Sequence, residues 1–186
     1  MFGIDDAFAE VVTSSTQPAL GAIRLAWWRE ALERLDHNAP PPEPRLQAVA
    51  AELLPRGISG AALAELEAGW AALLDETIDP DRSLERGERL FSLASELLGA
   101  DDPKLPAAGR LFASEQVARK GLPGSLQMQA DLDELRGHRF VRALRPLTAL
   151  ARLAARDARQ APEIEPEATP GRAVALLSHR LFGTVT

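Results

Sequence analysis

The sequence feature that most constrains the fold is a run of helix-forming residues around two adjacent tryptophans, IRLAWWREALERL, at residues 23–35. Pro18 lies upstream, and proline is favoured in the first turn of a helix, where its missing N–H costs nothing. We therefore predict a helix from Pro18 to Leu35. At about 100° per residue, one broad apolar arc comprises Leu20, Ile23, Leu25, Trp27, Trp28, Ala31, Leu32 and Leu35. Trp28 lies in the middle of this arc and Trp27 towards its edge, which predicts nearly complete burial of Trp28 and partial exposure of Trp27.

Arg24 lies near the middle of the same arc, one turn from both tryptophans. A buried guanidinium without a partner is very costly, so folding must supply one. The partner is either a carboxylate on a neighbouring helix, which is the commoner case, or an anion or diphosphate held in a pocket. A short turn at residues 13–17 places Glu10 at a depth similar to that of Arg24, so we predict an Arg24–Glu10 ion pair that is at least partly buried.

Composition favours an all-α chain, because alanine, leucine, arginine and glutamate dominate and tyrosine is absent. The 186 residues predict a single domain over positions 1–186. The absence of cysteine excludes disulfides and thiolate metal sites, and a net charge of −6 argues against nucleic acid as a partner. No basic leader and no apolar run of membrane-spanning length occur, so we expect a cytoplasmic protein without a transmembrane segment.

Two pairs of carboxylates recur at a spacing of four residues. Asp6 and Glu10 share one face of a helix predicted from Ile4 to about Ser14. Such a pair can hold Mg²⁺ against a diphosphate, because Mg²⁺ prefers oxygen ligands and takes few of them from the protein. Asp75 and Asp79 repeat the spacing, but Pro80 follows directly, so the helix is predicted to end between them. Pairs of this kind are most often a solvated helix face.

Other chemistry has little support in the sequence. The three histidines, His37, His138 and His179, lie far apart without metal-ligand spacing, and there is no glycine-rich phosphate loop. Arginines recur at every third position in one segment: Arg136, Arg139, Arg142 and Arg145. That stripe is suited to phosphates or lipid headgroups, although such a pattern is more often a solvated helix face paired with acids.

Two blocks of the chain resemble the squalene/phytoene synthase family. The first is QPALGAIRLAWWREALE at residues 17–33. In the C-terminal third, LRPL at 144–147 leads into LARLAARD at 150–157, and TPGR at 169–172 leads into LLSHRL at 176–181. The chain is most similar to a divergent branch that includes the mitochondrial complex I assembly factor of squalene/phytoene-synthase type. This resemblance implies an all-α, single-domain bundle of about eight helices, a trimmed isoprenoid synthase fold.

The resemblance also implies what the active family members need, namely two sets of metal-binding aspartates. The aromatic-Cys-Arg lead of the first motif is missing around Asp6 and Glu10, and nothing after residues 106–119 matches the second. A catalytically silent relative is therefore expected, one with a binding or assembly role and no cofactor. Its cavity keeps affinity for an isoprenoid or lipid, with Arg24, Glu10 and Asp6 as candidate binding residues. By resemblance, the protein partner belongs to membrane-enzyme assembly, and the location is cytoplasmic or peripheral to a membrane.

The alternative that the resemblance leaves open is an Mg²⁺-dependent prenyl transferase acting on prenyl diphosphates. Its metal ligands would be Asp6, Glu10, Asp75 and Asp79. The missing second motif favours the silent relative, for which we expect weak or no binding of Mg²⁺ and prenyl diphosphates. Four carboxylates facing one another across a cavity near Arg24 would favour the enzyme.

Overall fold

The computed structural model describes residues 1–122, 128–160 and 165–186. Over these residues the chain is helical, and the only extended pairing is an isolated antiparallel bridge between Arg139 and Thr184. The predicted all-α fold of about eight helices is confirmed. The chain divides into two compact units, Met1–Arg86 and Gly87–Thr186, and the single domain over positions 1–186 stays a prediction.

The first unit contains the Trp-Trp helix. Its α-helices are α1 (Phe2–Ser14), α2 (Pro18–Leu35), α3 (Pro44–Ala48), α4 (Gly60–Ala64), α5 (Glu67–Ala71) and the start of α6 (Pro80–Leu98). A π-helical turn at Val49–Leu53 and a 3-10 turn at Leu54–Arg56 extend α3, and a 3-10 turn at Ala72–Leu74 extends α5. The helical segment between residues 60 and 74 is thus divided into α4, α5 and the 3-10 turn that ends at Leu74.

Helix α2 organises the first unit by packing against α1, α4 and α5. Its C-terminal end is tied to the start of α4, because the Asp36 carboxylate accepts the backbone N–H groups of Gly60 at 2.6 Å and Ala61 at 3.0 Å. A Cβ at Gly60 would overlap the carbonyl oxygen of Leu32. Glycine is therefore required for this close approach.

The second unit holds the remainder of α6 and four further α-helices: α7 (Leu105–Arg119), α8 (Met128–Glu134), α9 (Arg145–Gln160) and α10 (Pro170–Phe182). A 3-10 turn at Arg142–Leu144 precedes α9. Helix α7 packs against α8 and α9, and α10 packs against α9. Thr169 caps α10 through its side chain, Pro170 is its first residue, and Gly183 ends it with a left-handed φ of 76°.

The crossing of α6 and α7 has no side chain at its centre. Gly87 and Gly109 are both buried there, and a Cβ on either one would overlap the backbone carbonyl of the other. The two helices therefore meet backbone to backbone, which only glycine permits.

None of the helices in the described ranges has the length and apolar character needed to cross a bilayer.

Candidate functional site

The two predicted carboxylate pairs do not form one site. Asp6 and Glu10 are both exposed on α1, and the Glu10 carboxylate accepts two hydrogen bonds from the Arg45 guanidinium at 2.8 and 3.0 Å. Within residues 1–122, 128–160 and 165–186, no group of three or more His, Cys, Asp or Glu side chains is arranged to hold a metal ion.

The second pair lies in the connection between the 3-10 turn, which ends at Leu74, and α6, which begins at Pro80. The prediction that a helix ends between Asp75 and Asp79 is therefore wrong, because the helical segment ends before both. Asp75 follows the 3-10 turn with an extended backbone and lies 3.6 Å from the Arg82 guanidinium. Asp79 accepts the backbone N–H of Asp81 at 3.1 Å, in the first turn of α6. Each carboxylate therefore interacts with a group close to it in the sequence.

Arg24 is exposed, and the predicted buried Arg24–Glu10 ion pair is wrong. Its Nη1 donates to Ser14 Oγ at 3.1 Å, whereas Glu10 is held by Arg45. The error lies in the width of the predicted apolar arc. Gly21 is buried, and a Cβ there would come within 2.9 Å of Leu74 Cδ1, so α2 turns its small Gly21 to the core while Ile23 remains 66% exposed.

The two tryptophans are inequivalent in the predicted order. Trp27 is 46% exposed and Trp28 is half-buried, so the expectation of nearly complete burial for Trp28 is wrong. The two indole rings meet edge to face, with centroids 5.3 Å apart. The Trp28 ring also meets the Phe8 ring edge to face, with centroids 6.4 Å apart. The two tryptophans therefore pack at the periphery of the first unit's hydrophobic core.

The ion pair buried in the first unit is one that the sequence analysis missed. Asp5 and Arg86 are fully buried, and Arg86 Nη1 donates to both Asp5 oxygens at 2.6 and 2.7 Å. Trp70 Nε1 donates to the same carboxylate at 2.8 Å, and the Arg86 guanidinium lies 4.2 Å from the Trp70 ring centroid. Burial of Asp5 could have been predicted from its place on α1, because it lies three residues before Phe8 and seven before Val12 and so shares their apolar helical face.

In the second unit, a groove of about 720 Å³ runs between α9 and α10. Its lining combines apolar and basic groups: Arg142, Arg145, Pro146, Ala149, Leu176, His179, Arg180 and Leu181. The volume is within the usual range for ligand sites, roughly 300–1,000 Å³. It is suited to a molecule with an apolar body and a negative end.

The arginines of this groove have different roles. Arg145 closes the C-terminal end of α10, since its Nη1 donates to the carbonyls of Arg180 at 2.8 Å and Leu181 at 3.0 Å. Arg142 and Arg180 are exposed. In the part of the chain that the structure describes, neither guanidinium has a carboxylate partner. These two cations are available to a ligand.

His179 is a neutral wall of the groove. It is buried, its Nδ1 lies 2.8 Å from the carbonyl oxygen of Thr184, and its Nε2 lies 2.9 Å from Thr148 Oγ1. A carbonyl can only accept, so Nδ1 carries the proton and Nε2 accepts. Burial lowers the pKa of His179, with smaller raising effects from backbone hydrogen bonds. The ring therefore positions α10 against α9.

A second groove, of about 390 Å³, lies on the other side of α10 and is lined by Arg152, Arg156, Pro170, Gly171, Val174, Ala175 and Ser178. Burial, followed by repulsion from Arg159 and Arg156, lowers the pKa of Arg152. Arg156 is paired with Glu165. Positive charge thus borders α10 on both sides.

A buried polar network anchors α10 beneath these grooves. Arg172 Nη1 donates to both oxygens of Asp157 at 2.7 and 2.9 Å, and Arg119 bonds to Asp157 and Glu115. Burial, and then a hydrogen bond with Asp157, raises the pKa of Glu115 to about 7. Burial acts to raise the pKa of Asp157, but hydrogen bonds with Arg172, Glu115 and Arg119 outweigh it and lower the pKa of this carboxyl.

The four arginines at every third position from Arg136 to Arg145 only partly form the solvated, acid-paired helix face that is usual for such a pattern. Residues 136–144 are not an α-helix, since Arg139 lies in a bridge and Arg142 begins a 3-10 turn. Arg136 is exposed and paired with Asp133, as the solvated-face interpretation predicted. Arg142 contributes to the groove instead, and the contribution of Arg180 was missed, because only tertiary packing brings α10 beside Arg142.

Comparison of the chain with models of protein families, with curated proteins and with solved structures gives no significant match.

Proposed function

We propose that this protein is a catalytically silent relative of the squalene/phytoene synthases that binds an isoprenoid or acyl lipid with an anionic head. The single observation that carries the proposal is the groove between α9 and α10, where apolar walls lie together with two exposed arginines that have no carboxylate partner among the described residues. The segments that resemble the family in the C-terminal third include residues 150–157, which lie in α9, and residues 169–172 and 176–181, which lie at the start and in the second half of α10.

The proposed ligand is held at two ends. Its chain lies along Pro146, Ala149 and Leu176, where leaving water stabilises it by about 25 cal/mol per Å² of apolar surface. Its carboxylate or phosphate accepts from Arg142 and Arg180, whose planar guanidinium groups match such anions. The binding site thus moves from the expected Arg24, Glu10 and Asp6 to the second unit.

Support for a silent protein comes from three of the four candidate metal ligands. A transferase of this family would need carboxylates that converge on phosphate-bridging cations. Glu10 is instead engaged by Arg45 and Asp75 by Arg82, and Asp79 serves the start of α6. The assembly role, a protein partner and a cytoplasmic location rest on the resemblance and are part of the same proposal.

The test is a binding measurement with two chain chemistries. A fluorescent long-chain fatty acid is titrated into the protein without Mg²⁺, and farnesyl phosphate is used as a competitor. Ala149→Phe fills the groove, and we expect it to weaken binding at least tenfold, which corresponds to roughly 1.4 kcal/mol. Ala130→Phe is the matched control, because Ala130 is exposed on α8 and should leave binding unchanged.

The outcomes separate the ligand classes. Displacement of the fluorescent fatty acid by farnesyl phosphate shows that the groove accepts an isoprenoid. Saturable binding of the fatty acid that farnesyl phosphate does not displace assigns an acyl chain. The absence of saturable binding by either probe, or equal binding by Ala149→Phe and the wild-type protein, refutes the proposal.

A further inference from the structure

The outer face of α10 carries apolar side chains that no element of the described chain covers. Val174 is 66% exposed, Leu177 is 58% exposed and Leu181 is 61% exposed. At about 100° per residue, Leu177 lies two residues before the buried His179 and so points away from α9, whereas Leu181 also belongs to the lining of the groove between α9 and α10. We call these three residues the outer stripe. Exposed apolar side chains aligned along one helix are typical of an interaction surface.

Both borders of the outer stripe are basic. Arg142 and Arg180 belong to the groove on one side. Arg152 and Arg156 belong to the groove on the other, where Arg156 is paired with Glu165 and Arg152 supplies the net positive charge. Residues 136–186 carry nine arginines and four acidic residues, although the net charge of the chain is −6. The positive charge is therefore concentrated in the segment that contains the apolar face.

We propose that the outer stripe and its arginine borders form a docking surface for the headgroup region of an anionic membrane. In such an arrangement the helix lies in the plane of the interface, its apolar face enters the acyl boundary, and the basic side chains contact lipid phosphates. This inference rests on the proposed function only for its lipid setting, and it adds the surface and the lipid charge.

Charge favours a membrane over a second copy of the chain as the occupant. In a two-fold dimer the same patch faces itself, so Arg142 and Arg180 would approach their own copies. Like charges brought together in this way are costly. Anionic lipid headgroups complement the same arginines, and each one near the surface strengthens binding about fivefold.

The experiment uses the absence of cysteine in the chain. Leu177→Cys is labelled with an environment-sensitive fluorophore, and Ile23→Cys is the matched control, since Ile23 is 66% exposed on α2. Each labelled protein is mixed with vesicles of phosphatidylcholine alone or of phosphatidylcholine and phosphatidylglycerol in equal parts. We expect a blue shift only for the Leu177 label with anionic vesicles, and loss of that shift at high salt.

Sedimentation with the same vesicles gives an independent readout of binding. Leu177→Gln should lower the partition coefficient of unlabelled protein roughly tenfold, because one large apolar side chain no longer leaves water, whereas Ile23→Gln should leave it unchanged. Equal shifts from both labels, equal binding to neutral vesicles, or no sedimentation with anionic vesicles overturns the proposal. A concentration-dependent shift of the Leu177 label without vesicles overturns it in favour of a second copy.

Failure of this inference is distinguishable from failure of the proposed function. Leu177 does not line the ligand groove, and Ala149 is not part of the outer stripe. Ala149→Phe is therefore expected to lose the fluorescent fatty acid and to keep vesicle binding, and Leu177→Gln is expected to do the reverse.

Discussion

Replacing Asp5 by Asn should destabilise the protein far more than its position near the N-terminus suggests. The substitution keeps the side-chain volume and removes the negative charge opposite the fully buried Arg86, whose Nη1 contacts both Asp5 oxygens. Breaking a buried pair from one side costs about 3–5 kcal/mol. The amide oxygen of Asn can still accept from Trp70 Nε1, so no separate cost is added for that bond. We therefore expect a loss of about 3–5 kcal/mol in the free energy of unfolding.

Glu10→Gln is the matched control for this prediction. Glu10 lies on the same helix and is also paired with an arginine, but its side chain is 60% exposed. Pairs of this kind contribute about 0–1 kcal/mol, so the two variants should differ severalfold in their effect on stability.

Urea unfolding followed by tryptophan fluorescence is the appropriate assay, because all three tryptophans, Trp27, Trp28 and Trp70, lie in the first unit. A double variant, Asp5→Leu with Arg86→Met, removes both charges and should recover much of the loss. The reasoning fails if Asp5→Asn is no more destabilising than Glu10→Gln, or if the double variant is as unstable as the sum of its singles.

Three further predictions concern the core edge, the buried carboxylates and the metal. In denaturant melts, Trp28→Ala should cost roughly 3 kcal/mol, the low end for large aromatic truncations, and Trp27→Ala clearly less; equal losses would contradict the observed burial. The pKa of Glu115 is raised to about 7 from an ordinary 4.5. The stability that its protonated form provides is therefore complete at pH values below the pKa of the unfolded state, and it is lost as the pH rises through about 7. Glu115→Gln should remove this loss, so urea midpoints of variant and wild type should diverge between about pH 5 and pH 8, and parallel profiles would refute the assignment. Calorimetry should show no Mg²⁺-dependent binding of farnesyl diphosphate, and micromolar binding that Asp6→Ala abolishes would restore the transferase hypothesis.

Local signals in the sequence predicted local structure well. The bounds of α2 at Pro18 and Leu35 follow from a proline at the first turn and a continuous run of helix formers. Those of α10 follow from Thr169, Pro170 and Gly183, whose backbone preferences act within a few residues. Such features need no knowledge of the rest of the chain.

Burial of a charge could not be predicted in the same way. Arg24 and Asp5 both lie beside apolar positions on a helical wheel, yet Arg24 is exposed and Asp5 is buried. A wheel gives the angle of a side chain but not which part of a wide apolar arc meets another helix. In α2 that part is marked by the small Gly21, a signal opposite in character to the large residues that defined the arc.

The groove required tertiary information for a related reason. Its two exposed arginines come from a 3-10 turn before α9 and from the last turn of α10, and they are neighbours only because α10 packs on α9. The sequence indicated an arginine-rich stripe suited to phosphates or lipid headgroups. It did not indicate which of those arginines would bind a carboxylate, as Arg136 does, or backbone carbonyls, as Arg145 does.

The contact between Gly87 and Gly109 has a consequence for motion. Two helices that touch through their backbones have no side chains at that point that can change rotamer to relieve a displacement, so small independent movements of α6 and α7 are resisted there. Separation of the pair then requires cooperative opening of this part of the second unit, which is the slowest class of native-state fluctuation. The amide protons around the crossing should therefore be among the last in the unit to exchange with solvent, and a chain-shaped ligand cannot enter between these helices without the same rare opening.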